Sequence, residues 1–463
     1  MKGFQEKSHS KKKTKKNTSL SNKQILNQAI SFHSKGNISE ASKCYQYLIN
    51  KGINNAIVLS NYGVILKSNG ELNKAEEYQK KAIKLKPDFA SAHYNLANIF
   101  ELTGKKSKAE ESLRKSIDLN PDFANAYYNL GNLLYELGRV KEAEINTRKA
   151  ITINPKLGNA YLNLGAILKD QGKLYDAEIA TRKAIELQPE CAGAFCNLGM
   201  ILTEVGKTIE AEVSLRKSID LNPDLSTAYQ NLSLLLYAKG NKISALESIE
   251  KSYSLNSNSK DVKLILSMMK ARSTQKKDNL DKVYNYNKKF NEPIILKREV
   301  APELINELYK LKTIDLNQYE DPSYGNARGS DYELFEDNIN ITRVLKDDLI
   351  SITKNVVKSE VFFRDSFFTI LGGGGIINKH NHIGPLDRVP GLDLGKQKYS
   401  LVYYLEVGDQ NCKNPGILKF YIPQKEILPC KGMIIIFPAD RYHSVIYDGK
   451  KDRVIVGVNF YSL

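Results

Sequence analysis

Two histidines lie one residue apart near the carboxyl end of the sequence. His380 and His382 belong to the segment KHNHIGP, directly after the glycines at 372–375, and the 463 residues include only six histidines. A His-x-His pair can hold a metal ion, or it can be two polar residues in a loop. The surrounding elements decide between the two, because a metal site needs further ligands that the fold brings close.

The sequence after Asp365 has the pattern of a β-sheet. Short runs of aromatic and β-branched residues are separated by Gly, Pro and Asp turns, and the runs are DSFFTIL, KYSLVYYLEV, GILKFYI, GMIIIFP and RVIVGVNFYSL. Several such strands within about 100 residues predict a sandwich or a jelly roll, the double-stranded β-helix. Amphipathic helices predicted at 301–312 and 340–359 precede the sheet, and we expect them to buttress it.

Polar residues fall at the ends of these predicted strands. His380 and His382 follow one strand, His443 follows another, and Arg453 stands ten residues later at the head of the last. This order resembles the Fe(II)- and 2-oxoglutarate-dependent oxygenases over roughly 290–463. That family uses His-x-Asp/Glu, a distant His, and then an Arg or Lys at a similar offset.

The resemblance implies a set of site residues. The metal ligands would be His380, His382 and His443. Arg453 would bind the distal carboxylate of the co-substrate with its two-pronged guanidinium. Tyr404, which matches the YYL segment of the prolyl-hydroxylase branch, would share that carboxylate. Ser400 lies on the same strand face as Tyr404, because side chains alternate along a strand, and is the second candidate. The implied cofactors are Fe(II) and 2-oxoglutarate, with ascorbate as an optional addition.

The segment His380-Asn381-His382 departs from the family pattern, which has a carboxylate at the third position. Three interpretations stay open. The site can use three histidines, as iron dioxygenases of the cupin class do; Asp387 or Asp393 can complete the ligands; or the domain has lost its iron. Arg453 also has an alternative role, an ion pair at the rim with Asp452 or Asp448, and His443 alone could be an ordinary loop histidine.

The preceding 240 residues repeat with a period of 34. Prolines recur at 87, 121, 155, 189 and 223, and glycines recur with the same step from 36 to 240. This is the period of a helix pair, in which Gly138 would end the first helix and the small Gly131 and Ala143 would let the two helices approach. Residues 22–259 resemble the tetratricopeptide repeat family, with seven units in one solenoid.

An asparagine recurs at the same place in each repeat. In the tetratricopeptide family this position faces the concave groove, where a carboxamide can bind the backbone of an extended peptide. The implied partner-binding residues are Asn61, Asn95, Asn129, Asn163, Asn197 and Asn231. The alternative is that each asparagine bonds to a neighbouring helix and only stabilises the superhelix.

Composition and charge define the remaining parts of a multidomain chain. We expect a basic disordered tail at 1–21, the repeats at 22–259, a capping helix and linker at 260–289, and the oxygenase-like domain at 290–463. The net charge is +16, and seven lysines lie in residues 1–18, but no nucleic-acid motif accompanies them, so no nucleic-acid partner is expected. The sequence has no apolar run long enough for a membrane span, and its five cysteines form no CxxC pair, which favours the cytoplasm.

The two halves together predict a function. The repeat groove would recruit a protein or peptide, and the β domain would hydroxylate it as a 2-oxoglutarate-dependent dioxygenase. In this combination the chain resembles a small family of marine cyanobacteria in which predicted oxygenases are often fused to tetratricopeptide arrays. One alternative is a non-catalytic scaffold with a degenerate oxygenase-like domain, and another is an oxygenase that acts on a small metabolite.

Overall fold

The structure is a computed structural model of the chain. It describes residues 21–274, 292–311, 313–315, 325–330, 333–336, 339–384, 386–388, 392 and 394–463. The predicted basic tail, apart from Ser21, and the predicted linker after Thr274 lie outside these residues. The chain divides into two compact units, Met1–Ile201 and Leu202–Leu463.

Fifteen helices occupy the described chain up to Thr274. They are α1 (Asn22–Ser34), α2 (Ile38–Asn50), α3 (Ala56–Ser68), α4 (Leu72–Leu85), α5 (Ala90–Leu102), α6 (Lys106–Leu119), α7 (Ala124–Glu136), α8 (Val140–Ile153), α9 (Gly158–Asp170), α10 (Leu174–Leu187), α11 (Ala192–Val205), α12 (Thr208–Leu221), α13 (Ser226–Ala238), α14 (Lys242–Leu255) and α15 (Lys260–Thr274). The first fourteen lie at the positions of the seven predicted pairs, and α15 corresponds to the predicted capping helix. Among the helices that the structure describes, none has both the length and the apolar character of a membrane span.

Gly138 ends helix α7 in the way that the sequence predicts. Its φ is 77°, a left-handed conformation that glycine adopts without steric cost. The Gly138 N–H donates to Tyr135 O at 3.0 Å, and the Arg139 N–H donates to Leu134 O at 2.9 Å. This pair of bonds is the Schellman motif, which satisfies carbonyls that the helix end leaves free.

Small residues set the distance between the two helices of a repeat. A Cβ at Gly131 in α7 would lie 2.5 Å from Thr147 Oγ1 in α8, and one at Gly165 in α9 would lie 2.2 Å from Thr181 Oγ1 in α10. Ala143 in α8 is fully buried. The predicted close approach of the helices is therefore confirmed, and Leu130 and Leu134 fill the remaining space in the core of this repeat.

The C-terminal region is rich in strands, and two helices precede and interrupt it. The strands are β1 (Ile294–Lys297), β2 (Ile314–Asp315), β3 (Gly325–Gly329), β4 (Val361–His380), β5 (Lys398–Glu406), β6 (Leu418–Tyr421), β7 (Gln424–Ile427), β8 (Met433–Pro438), β9 (His443–Tyr447) and β10 (Arg453–Ser462). The helices are α16 (Pro302–Lys310) and α17 (Asn340–Val357), both at their predicted positions. The five predicted strands all form, and β1, β2, β3, β7 and β9 are additional.

All ten strands belong to one curled sheet. Its order is β1-β8-β5-β10-β4-β9-β6-β7, with β2 and β3 attached beside β4. β4 is 20 residues long. Its first part pairs with β10 and its last part with β9, so this one strand belongs to both halves of the sheet.

The sheet buries both faces, and side-chain alternation assigns each residue to one of them. On the outer face, Val454, Val456 and Val458 of β10 pack with leucines of α16 and α17. On the inner face, Ile455 of β10 packs with Phe437 of β8 and with residues of β6, β7 and β9 from the other end of the sheet. The curl therefore encloses an inner face, and this face carries the candidate site.

Candidate functional site

Strand pairing brings the predicted metal ligands together. His380 is the last residue of β4 and His443 is the first residue of β9, and the two are Cα partners in the antiparallel ladder. Partners in such a ladder present their side chains on the same face. His382 follows β4, and its N–H donates to Ala439 O at 2.8 Å, which holds it beside the turn that leads to β9.

The three imidazoles converge on one point. One ring nitrogen from each of His380, His382 and His443 lies within 4.8 Å of the other two. The ring centroids of His380 and His443 are 4.4 Å apart, and His382 is 4.9 Å from His380 and 5.1 Å from His443. Metal–nitrogen bonds of about 2.1 Å place the donor atoms of one ion about 3–3.5 Å apart, so the three nitrogens, all within 4.8 Å of one another, are close enough to serve a single divalent metal ion after a small adjustment.

Backbone carbonyls fix the orientation of two of the rings. The Nδ1 atom of His380 lies 2.8 Å from Asn378 O, and that of His443 lies 3.1 Å from Arg441 O. A carbonyl accepts, so in each ring Nδ1 carries the proton and Nε2 keeps its lone pair for a metal.

Burial keeps the imidazoles neutral. It lowers the pKa of His443 to about 4, to which the neighbouring His380 contributes, and it lowers the pKa of His380 and that of His382 in the same direction. Phe437 contacts His443 edge to face, with ring centroids 4.9 Å apart. The site therefore presents three unprotonated nitrogen donors, two on half-buried rings and one on the buried ring of His443, and this is the state in which imidazole binds a metal.

Asp387 does not join the three histidines. Its Oδ2 accepts hydrogen bonds from Lys398 Nζ at 2.9 Å and from the Gly384 N–H at 2.7 Å, and its Oδ1 accepts one from Tyr461 OH at 2.6 Å. Both carboxylate oxygens are thus used within the protein. Asp393, the other carboxylate considered as a ligand, lies outside the described residues.

Arg453 is a buried cation without a carboxylate partner. Its exposed fraction is 1%, and it forms no ion pair with any residue that the structure describes. Its Nη1 donates to Gly416 O, while its Nε is buried without a hydrogen-bond acceptor. The two aspartates considered as partners are engaged elsewhere, Asp452 with Arg328 at 3.5 Å and Asp448 with Asn414. Burial lowers the pKa of Arg453.

Tyr404 and Ser400 share one face but lie at different ends of it. The guanidinium carbon of Arg453 is 4.9 Å from the centre of the Tyr404 ring, so the structure brings these two predicted residues together. Ser400 instead pairs with Asn459, six residues beyond Arg453 on β10, and donates to its Oδ1 at 2.8 Å. Six strand residues span roughly 20 Å, so Ser400 does not share a ligand carboxylate with Arg453.

The inner face also holds a polar cluster that the sequence reading did not identify. Lys398 and Tyr461 both donate hydrogen bonds to Asp387. The side chains of the Lys398–Asp387 ion pair are 4% and 0% exposed. The alternation that places Tyr404 on the inner face of β5 places Lys398 there too. This alternation could have predicted that Lys398 lies on the inner face. No sequence pattern could have predicted that Asp387, in the loop, is its partner.

The recurring asparagines donate hydrogen bonds within the helical region. Asn61 Nδ2 donates to Tyr45 OH at 3.1 Å, and Asn95 Nδ2 to Ser60 Oγ at 3.2 Å. Asn129 Nδ2 donates to both Tyr94 OH at 3.2 Å and Asn98 Oδ1 at 2.7 Å, and Asn163 Nδ2 donates to Asn132 Oδ1. All six predicted asparagines are half-buried. At these four positions the amide nitrogen therefore stabilises the packing between helices.

Family models match the helical region. The TPR repeat model matches residues 63–104 and 103–138, and tetratricopeptide repeat models match 124–157, 158–191, 192–225 and 226–259. No curated protein has significant sequence similarity to the chain.

Several solved structures are similar to part of the chain. A chain of the APC/C hetero-tetramer Cut9-Hcn1 is 17% identical with a TM-score of 0.47, and the match covers 52% of this chain and 48%, about half, of that one. YrrB, described as a TPR protein with an unusual peptide-binding site, is 26% identical with a TM-score of 0.35 over 41% of this chain and 97% of its own. PilF of Pseudomonas aeruginosa is 20% identical with a TM-score of 0.42 over 47% and 97%. With the family matches and the observed helix pairs, the helical part of this chain is built of tetratricopeptide repeats.

Proposed function

We propose that the strand-rich region is an Fe(II)- and 2-oxoglutarate-dependent dioxygenase with a jelly-roll fold, and that it hydroxylates a protein or peptide recruited by the repeats. The strand order supports this fold. β8, β5, β10 and the first part of β4 form one set of four, and the last part of β4, β9, β6 and β7 form the other. The inner residues of both sets pack into one cluster, as in a double-stranded β-helix.

The observation that carries the proposal is the buried, unpaired guanidinium of Arg453 on the same inner face as the three histidines. A buried charge without a partner is costly, and a protein retains it where a ligand supplies the opposite charge. The free Nε and the two-pronged shape suit a carboxylate. Gly416 O accepts from Arg453 and the Gly416 N–H donates to Ile446 O at 3.1 Å, so Arg453 lies near Ile446.

The spacing between the two parts of the site suits a short dicarboxylate. Ile446 follows His443 by three residues on β9, a rise of roughly 10 Å. His380, His382 and His443 would hold the iron, which supplies open coordination positions for the co-substrate and dioxygen. Because the imidazoles are neutral, the ion keeps its full charge, and together with Arg453 this favours an anionic co-substrate.

The chain's own residues have distinct tasks in this reaction. The three imidazoles would hold the metal, His380 and His443 through Nε2, because the carbonyls of Asn378 and Arg441 keep these two rings in the ligating tautomer. Arg453 and Tyr404 orient the distal carboxylate. Phe420 and Phe437, which pack beside His443, exclude water from the metal side of the pocket.

The repeats supply the recruiting surface in this proposal. The amide nitrogens of Asn61, Asn95, Asn129 and Asn163 donate hydrogen bonds between helices. The groove would therefore bind a partner chiefly through the Oδ1 acceptors of these side chains. An extended peptide offers a backbone N–H at every second residue on one side, which suits such a row of acceptors. The proposed recruitment of a peptide thus depends on the tetratricopeptide repeats acting as protein-binding modules.

The decisive experiment measures co-substrate turnover by the full chain. We expect protein loaded anaerobically with Fe(II) to convert 2-oxoglutarate to succinate once oxygen is added, and an accepted peptide substrate to increase the rate. A peptide array probed with the full chain, beside the Asn95→Ala/Asn129→Ala variant, identifies candidate substrates. Failure to retain iron together with absence of succinate would instead establish a protein-binding scaffold. Turnover that no peptide increases, but a small metabolite does, would contradict the protein substrate alone.

A further inference from the structure

His382 differs from His380 and His443 in the contacts that fix its ring. The Nδ1 atoms of His380 and His443 each meet a backbone carbonyl, whereas, among the residues that the structure describes, no carbonyl is bonded to the His382 ring. His382 also follows β4 rather than belonging to a strand. Its position therefore depends on the backbone around it.

That backbone is enclosed by a ring of four hydrogen bonds. The His382 N–H donates to Ala439 O at 2.8 Å, and the Ala439 N–H donates to Lys398 O at 3.0 Å. Lys398 Nζ then donates to Asp387 Oδ2 at 2.9 Å, and the same oxygen accepts the Gly384 N–H at 2.7 Å. Gly384 is two residues from His382, so the circuit returns to its starting point.

The circuit is buried and its carboxylate is fully used. The side chains of Lys398 and Asp387 are 4% and 0% exposed, and Tyr461 OH donates to the second oxygen of Asp387 at 2.6 Å. A buried ion pair adds little to the free energy of folding, but it can fix the positions of the segments that carry its two charged groups. Here the fixed partner is the segment that carries a metal ligand.

We infer that Lys398 and Asp387 are positioning residues for the metal centre, and that they hold His382 in its ligating position through the Gly384 N–H and the Ala439 backbone. The carboxylate thus serves the site without touching the metal. This inference rests on the proposed metal centre.

The test titrates the metal-free full chain with Co(II), whose visible absorption reports the ligand geometry and whose affinity is obtained by competition with a chromophoric chelator. We expect Lys398→Met and Asp387→Asn each to weaken Co(II) binding by about 10–100-fold and to change the spectrum. Tyr461→Phe is the matched control. It removes one hydrogen bond from the same carboxylate and leaves the four-bond circuit intact, so the affinity and the spectrum should stay close to wild type.

A double variant separates positioning from folding. Lys398→Met/Asp387→Asn removes both charges, so its unfolding temperature should exceed those of the single variants, because no unpaired charge is left buried. Its Co(II) affinity should nevertheless stay as low as theirs. Wild-type affinity and spectrum in this double variant would overturn the positioning role and leave the proposed function standing. Absence of Co(II) binding by the wild-type chain would contradict the metal centre itself, and the inference with it.

Discussion

Gly416 and Arg453 fit together only because Gly416 has no side chain. A Cβ at Gly416 would lie 1.5 Å from Arg453 Nη1, and the Gly416 carbonyl accepts a hydrogen bond from that nitrogen. Gly416 also has a φ of 80°, which favours glycine. This glycine therefore shapes the space in which the buried guanidinium lies.

Replacement of Gly416 by alanine should displace Arg453 and weaken binding of 2-oxoglutarate. The control is Gly374→Ala, since Gly374 has a similar φ of 82° but no atom within 4 Å of the position that a Cβ would occupy. Both variants carry the same backbone strain, about 1–2 kcal/mol, and only Gly416→Ala adds the clash. Calorimetric titration of the iron-loaded protein with 2-oxoglutarate checks this, and equal affinities in the two variants would contradict it.

Removal of the guanidinium should have opposite effects on stability and on binding. Arg453→Met deletes a buried, unpaired charge, so the free energy of unfolding without co-substrate should rise by about 1–4 kcal/mol. The affinity for 2-oxoglutarate should fall by about 10–100-fold, because a charged hydrogen bond is lost. Urea unfolding and titration measure the two quantities. Arg328→Met, at a side chain that is 49% exposed, should change neither by much. A less stable Arg453→Met protein would mean that the charge is satisfied without a ligand.

Loss of one imidazole should abolish stable metal binding. Wild-type protein should hold one Fe(II) per chain, and His443→Ala should lower the affinity by more than about 100-fold, because it removes a direct ligand. His93→Ala is the control, since that half-buried ring lies outside the candidate site and, within the described part of the chain, bonds to Pro87 O at 3.1 Å. A colorimetric iron assay after desalting gives the content. Retention of iron by His443→Ala would show that the metal binds elsewhere.

Two helical glycines in the repeats should respond in opposite ways to alanine. Gly131→Ala places a methyl group 2.5 Å from Thr147 Oγ1, and this overpacking should lower the free energy of unfolding by about 1–3 kcal/mol. Gly193→Ala meets only Leu162 Cδ2, at 3.9 Å, and should raise it by up to about 1 kcal/mol, because alanine favours the helix. Urea unfolding followed by circular dichroism measures both. Similar destabilisation by both variants would show that helix approach does not restrict position 131.

The sequence was most informative where a period is strict. The 34-residue step predicts the helix pairs and the left-handed conformation of Gly138, because every repeat places the same residue types at the same packing and helix-end positions. In the sheet, the motif order that resembles the oxygenases pointed to His443, Arg453 and Tyr404, and the structure places Tyr404 beside Arg453. Local patterns of this kind need no knowledge of distant contacts.

What could not be predicted depends on register and on contacts across loops. Ser400 shares a face with Tyr404, but only the pairing of β5 with β10 shows that it lies beside Asn459, too far from Arg453. The bonds from Asp387 to Lys398 and Tyr461 join a loop to two strands that are distant in sequence. The glycines at 372–375 lie within β4, but this stretch is irregular, because Gly374 has a left-handed φ of 82° and, of the four, Gly375 is the one that pairs with β3 and β9.

Because β4 runs through both parts of the candidate site, the register within this one strand determines how the two parts are placed. Leu371 is anchored opposite Arg453, and His380 is anchored opposite His443 nine residues later. In a regular strand an odd separation would put the two side chains on opposite faces, but Leu371 and His380 both lie on the inner face, because Gly374 has a φ of 82° and the register with β9 shifts between Ile377 and His380. The irregular stretch 372–379 therefore sets both the distance and the relative orientation of Arg453 and the histidines.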